Sequence, residues 1–148
     1  MKTKEINKRI DATTFAFKYH DQSIQWLDEV EFSQDEQKFL ENLLSSHFLD
    51  LSSPKLMEPT KKVIQKLKDI EKTGVELLKK VKSHNNHLGE LVERNELILE
   101  EIVKSEHKKI QKEIENYALK FKYIKKKIFG IVKDIMKAHK QKLLINKQ

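Results

Sequence analysis

The sequence predicts an all-α fold, an elongated, antiparallel, up-down-up bundle of three long helices with coiled-coil-like packing. Two ladders carry this prediction. One places Val103, His107, Ile110, Ile114, Tyr117, Phe121, Ile124, Ile128, Ile131, Ile135 and Ala138 at alternating steps of four and three. The other runs through Val63, Leu67, Ile70, Gly74, Leu77, Val81, His84, Leu88 and Leu91 with the same steps. That spacing keeps every rung on one stripe of a helix. The third observation is the scarcity of breakers: three Gly and two Pro in 148 residues leave few places for turns. Strand-like alternation is too sparse to assign any strand.

Residues 1–12 mix Lys, Thr, Asn and Asp without a period and are expected to be loose. Helix 1 is expected to start near Asp11–Thr14, where Asp and Thr can cap it, and to reach about Phe48. Its ladder is the least regular. Phe15, Tyr19, Gln22, Trp26 and Glu29 form one run, and Phe32, Glu36, Phe39 and Leu43 another, joined by a phase slip. This reading puts Glu29 and Glu36 on the face of Trp26, Phe39 and Leu43.

The stretch Leu49–Pro54 is the first turn. Ser53 and Pro54 suit an N-cap and first helical position, but Pro59 would disturb the next turn. Regular helix 2 is therefore expected from Glu58 or Pro59 to about Val92. Gly74 within it costs about 1 kcal/mol relative to alanine and offers room for a bulky neighbour. The second turn is placed near Arg94–Asn95, with Asn85–Gly89 as the rival because Asn and Gly favour helix ends. Helix 3 follows to about His139. The bundle is expected as a single domain over residues 13–143, with 144–148 a frayed basic tail. A four-helix bundle is the alternative, if the chain breaks at Asn85–Gly89 or near Gly130.

Each ladder holds one histidine where an apolar residue belongs. If the second turn lies near residue 94, His84 and His107 sit level and face a common core. Counting through the first turn brings residues from about Gln22 to Glu29 opposite them. Two readings follow. A transition-metal site of zinc, iron or manganese would use His84, His107 and Glu29 or Glu36 as ligands. A hydrogen-bonded polar layer would fix helix register at some expense of stability and would need no metal or other cofactor. The spacings that usually mark metal sites in helical bundles are absent: no Glu-x-x-His, no His-Glu-x-x-His and no histidines four apart. The buried polar layer is the preferred reading. Of the remaining histidines, His47 is expected to complement the end of helix 1 and His139 to be solvated.

Charge adds a further candidate. The formal net charge is +7, and the segment from Lys120 to Gln148 has ten lysines against one acid. The first 119 residues carry 20 basic and 22 acidic side chains. Lys125, Lys126, Lys127, Lys133 and Lys137 surround a widened apolar face of helix 3 that includes Ile128, Phe129, Ile131, Val132, Ile135 and Met136. This end is a candidate polyanion or membrane-surface site. The first turn, through Phe48, Leu49, Leu51, Leu56 and Met57, is the expected cover for the apolar part. Only Arg9 and Arg94 are arginines, which argues against a dedicated nucleic-acid surface.

The chain has no cysteine, so thiolate catalysis, disulfides and cysteine-zinc sites are excluded. No serine sits in a strand–turn–helix elbow, and the glycines are isolated, so phosphate-cradling loops are missing. The N-terminus has no apolar signal stretch, and no window is apolar enough to span a membrane. These features lead to the expectation of a cytoplasmic, non-enzymatic interaction protein that binds itself or a protein partner. Metal binding and polyanion binding are the alternatives.

Overall fold

The computed structural model describes residues 2–94 and 97–146, and side chains over 14–94 and 100–145. Helix α1 is Lys2–Ser46, α2 is Phe48–Leu51, α3 is Pro54–Arg94 and α4 is Leu97–Asn146. No strand occurs among the described residues. The protein is an all-α helical bundle with three long helices, and its fourth helix is the single turn α2 rather than a piece of a broken long one. Asn85–Gly89 and Gly130 both lie inside continuous helix.

The helices pack as two compact units. The first comprises Met1–Phe32 and Thr73–Asn116, the second Ser33–Lys72 and Tyr117–Gln148. In the first unit α3 and α4 are antiparallel: Lys80 pairs with Glu113 at 3.0 Å, while the later His87 meets the earlier Glu106 at 2.8 Å. In the second unit, contacts with α4 advance from Gln37–Tyr117 to Asp50–His139, so α1 and the α2 turn run in the direction of α4.

The α3 ladder is buried at every rung from Val63 to Leu91, including Gly74 and His84. The α4 ladder is buried from Val103 to Ile128, after which Val132 is buried in place of Ile131, Ile135 stays buried and Ala138 is exposed. Helix α1 departs from expectation. Its inward residues are Ala16, Ser23, Trp26, Val30, Gln37, Leu40 and Leu44, with no phase slip. Phe32 and Phe39 face solvent, 66% and 59% exposed. The heptad rule is obeyed, but small and polar residues occupy rungs that hydropathy would award to phenylalanine.

Helix α1 begins at Lys2, so residues 2–12, expected to be loose, continue the helix. They lack Gly and Pro, and Lys, Glu, Arg and Ala tolerate helix well enough to override the cap signal at Asp11–Thr14. Helix α3 starts at Pro54 rather than Glu58 or Pro59. The Ser53 carbonyl accepts from Leu56 N at 3.1 Å and Met57 N at 2.9 Å. Pro59 is exposed, so its ring points to solvent and the helix forgoes one internal bond there. The last residue of α3 is Arg94, at the later of the two turn positions considered, and Asn95 lies outside the described residues. Helix α4 runs past His139 to Asn146. Of the tail expected to fray, 144–146 are helical and 147–148 lie outside the described residues.

Candidate functional site

The polar layer lies within the first unit. Helix α1 contributes Tyr19, Gln22 and Trp26, spaced by three and four so that they share a face. Helix α3 brings His84 and His87, and α4 brings Glu106 and His107. His84 Nε2 and His107 Nδ1 are 2.8 Å apart, and His107 Nε2 is 2.6 Å from Gln22 Oε1. Glu106 offers Oε1 to His84 Nδ1 at 3.3 Å and Oε2 to His87 Nδ1 at 2.8 Å. The His107 ring stacks on Tyr19, centroids 3.5 Å apart and planes 7° from parallel, with Trp26 tilted against it at 4.5 Å. Ala16, Leu88, Leu91 and Val103 form a buried apolar cluster against which Tyr19 and Phe15 pack.

Neutral imidazole has one donor and one acceptor nitrogen, which restricts the proton pattern. With Gln22 Oε1 toward His107, Nε2 of both rings must donate. His84 Nδ1 is then left bare, buried and facing a carboxylate oxygen. Turning the Gln22 amide by half a rotation resolves this, since its oxygen and nitrogen occupy nearly the same positions. Gln22 then donates to His107 Nε2, His107 Nδ1–H donates to His84 Nε2, and His84 Nδ1–H faces Glu106. Both nitrogens of each buried ring then face a complementary group, with His84 Nδ1–H 3.3 Å from a Glu106 carboxylate oxygen. Electrostatics favour this neutral pair of rings. Burial first, and then neighbouring His84, together lower His107 to about 4. Burial also lowers His84, against an opposing pull from Glu106.

Of the four metal ligands considered from sequence, the fold joins two. His84 and His107 meet as expected, but Glu29 is exposed on α1. Glu36 belongs to the second unit, where it pairs with Lys125 at 2.8 Å. The histidine nitrogens are also too close: two ligands about 2.0–2.1 Å from a tetrahedral zinc stand roughly 3.3 Å apart. A 2.8 Å separation fits a shared proton. Among the described residues no group of three or more His, Asp or Glu side chains is arranged to hold a metal ion. Sequence reasoning missed Glu106, and although the His84-x-x-His87 spacing puts two imidazoles near one helix face, it left His87 out of the candidate ligands. The signals were there: Glu106 adjoins His107 in the chain, and His87 follows His84 by nearly one helical turn.

The second unit has its own polar contacts. Gln37 Nε2 donates to Tyr117 Oη at 2.8 Å in the core. Glu71 is pushed up to about 7, by burial and then by Glu41 beside it. His139, expected to be solvated, bonds Asp50 at 2.9 Å.

The five candidate lysines divide. Lys125 is held by Glu36 and lies over Phe121, and Lys127 lies over Tyr123 with its amine 4.8 Å from the ring centre. Lys126, Lys133 and Lys137 project from exposed positions. Leu51 is buried as part of the expected cover, but Phe48, Leu49, Phe129 and Met136 remain exposed. A cleft of about 510 Å³ near the α2 turn is lined by Leu44, Phe48, Leu51, Met57, Ile64 and Leu67, with Glu41, Lys61 and Lys68. No helix among the described residues is long and apolar enough to cross a membrane.

Comparison with known protein families, curated proteins and solved structures gives no match for this chain.

Proposed function

We propose that the chain is a non-enzymatic, cytoplasmic helical bundle that acts by binding, to a second copy or to another protein, through helix faces that its own core does not use. The observation that carries this reading is the second apolar face of α1. Phe17 and Phe32 in the first unit, and Phe39 in the second, are each about 60% exposed or more, while α1 buries a different set of residues inward. Full burial of a phenylalanine contributes about 1.5–3 kcal/mol, so these side chains have several kcal/mol available to a partner. The histidine layer supports a structural role, because His84 and His107 are 0% and 2% exposed. Neither of these two imidazoles is open to a substrate.

The test is sedimentation velocity from about 1 to 300 µM, paired with photo-crosslinking in lysate from a probe at Phe32. Concentration-dependent association, or a crosslinked protein lost on Phe17→Glu/Phe32→Glu, is expected. A strict monomer with no crosslink that depends on these phenylalanines overturns the reading. A second reading, binding to an anionic surface, draws on the last turns of α4. There Met136, Leu143, Leu144 and Ile145 are exposed among Lys137, Lys140 and Lys142. Co-sedimentation with phosphatidylserine vesicles at low salt, abolished when the chain stops at Ile135, would establish it; equal sedimentation by the shortened chain removes it.

A further inference from the structure

We infer that the partner is a second copy of this chain, and that the outer seam of α1 in the first unit of one copy packs on the outer seam of α4 in the second unit of the other. This rests on the interaction reading above and names its occupant.

The seam on α1 is Phe17, Asp21, Ile24, Asp28 and Glu31, every one exposed and spaced by four, three, four and three. This is the coiled-coil step, repeated on a face separate from the core. It is apolar and acidic, and residues 14–32 contain four acids and one lysine. Such a face calls for a basic seam of the same step. Helix α4 presents one in Tyr123, Lys126, Gly130, Lys133 and Lys137, again all exposed, where residues 117–146 contain nine lysines and one acid. Neither seam finds its complement on its own helix; each finds it on the other.

The register follows from the steps. Read antiparallel, the two seams match step for step, with Asp21 opposite Lys133, Ile24 opposite Gly130 and Asp28 opposite Lys126. A side chain built at Gly130 would meet nothing within 4 Å, so the centre of the α4 seam is open surface without a side chain, where Ile24 can approach the helix backbone closely. Opposite charges on both sides of this contact set partner choice and register. Copies meeting through their α1 seams alone would bring acid to acid, and through their α4 seams alone lysine to lysine.

The chain lacks native cysteine, so introduced thiols report the contact without background. Ile24→Cys and Gly130→Cys are made in separate, size-tagged full-length chains, mixed and oxidised mildly. A mixed 24–130 disulfide is expected to form at least tenfold faster than a mixed pair of Gln25→Cys with Gly130→Cys. Asp21→Lys/Asp28→Lys and Lys126→Asp/Lys133→Asp should each weaken self-association at least tenfold by sedimentation, and mixing the two variants should restore it. Dimerisation unchanged in the charge-reversed chains overturns the seam pairing. A wild-type chain that stays monomeric to 300 µM overturns self-association, yet leaves the interaction reading standing if the phenylalanine-dependent crosslink to another protein persists. Circular dichroism on each variant confirms that these surface changes leave the helices intact.

Discussion

Among the described residues, Gln37 and Tyr117 make a buried hydrogen bond between core side chains of the second unit. The amide donates and the phenol oxygen accepts at 2.8 Å. Tyr117→Phe leaves the ring in place and removes the acceptor, stranding a buried N–H. The expected loss is about 1–3 kcal/mol by urea unfolding. Adding Gln37→Leu to that variant should recover most of it, because the stranded amide is then removed as well. A double variant no more stable than Tyr117→Phe would show that the bond is not what the site depends on. The histidine layer makes a sharper residue-scale prediction. With Gln22 turned to donate, both His84 and His107 carry their proton on Nδ1. Nitrogen-15 shifts of the rings at pH 7 should show protonated Nδ1 and bare Nε2 at both positions; a protonated Nε2 on either ring rejects this assignment.

At the scale of elements, α3 and α4 were legible because most of their rungs are branched aliphatics, and the level placement of His84 and His107 followed from the turn near Arg94. Helix α1 was not legible to the same degree. Hydropathy gave core positions to Phe32 and Phe39, whereas the fold puts Ser23 and Gln37 inside. Gln37 is admitted because Tyr117 pairs with it, and no single-chain pattern announces a contact 80 residues away in sequence. The same error moved Glu29 and Glu36 toward the core and suggested a metal set that the fold divides. Helix α3 also carries a simple internal test. Gly89 was weighed as a turn residue but lies inside the helix, exposed, with nothing within 4 Å of an added Cβ. Gly89→Ala should therefore stabilise the protein by about 1 kcal/mol, visible as a higher urea midpoint with an unchanged slope. Destabilisation would mean that the chain uses the flexibility of glycine there.

For the whole molecule, two groups in separate units pull stability in opposite directions as pH falls. His107 is held at about 4, below the ordinary 6.5. The unfolded chain therefore binds more protons between those values, and the stability His107 contributes at neutral pH is lost on acidification. For this buried ring the loss is at most about 3 kcal/mol. Glu71 is raised to about 7 from 4.5. Here the folded chain binds the extra proton, so stability is present below about 4.5 and is lost as pH rises through 7. Water screens this half-buried carboxyl, so its effect is the smaller. The wild-type curve between pH 7 and 4.5 is thus a partial cancellation, and a single substitution should expose it. Glu71→Gln mimics the protonated acid at all pH values. It should raise stability at pH 8, and in urea titrations its stability should fall more steeply than that of the wild type from pH 6.5 toward 4.5. Adding His84→Leu/His107→Leu to it should flatten the fall. The layer and Glu71 belong to separate units, so their effects should add to within about 0.5 kcal/mol. If Glu71→Gln leaves the slope where it was, the protonated carboxyl at Glu71 is not part of the folded state.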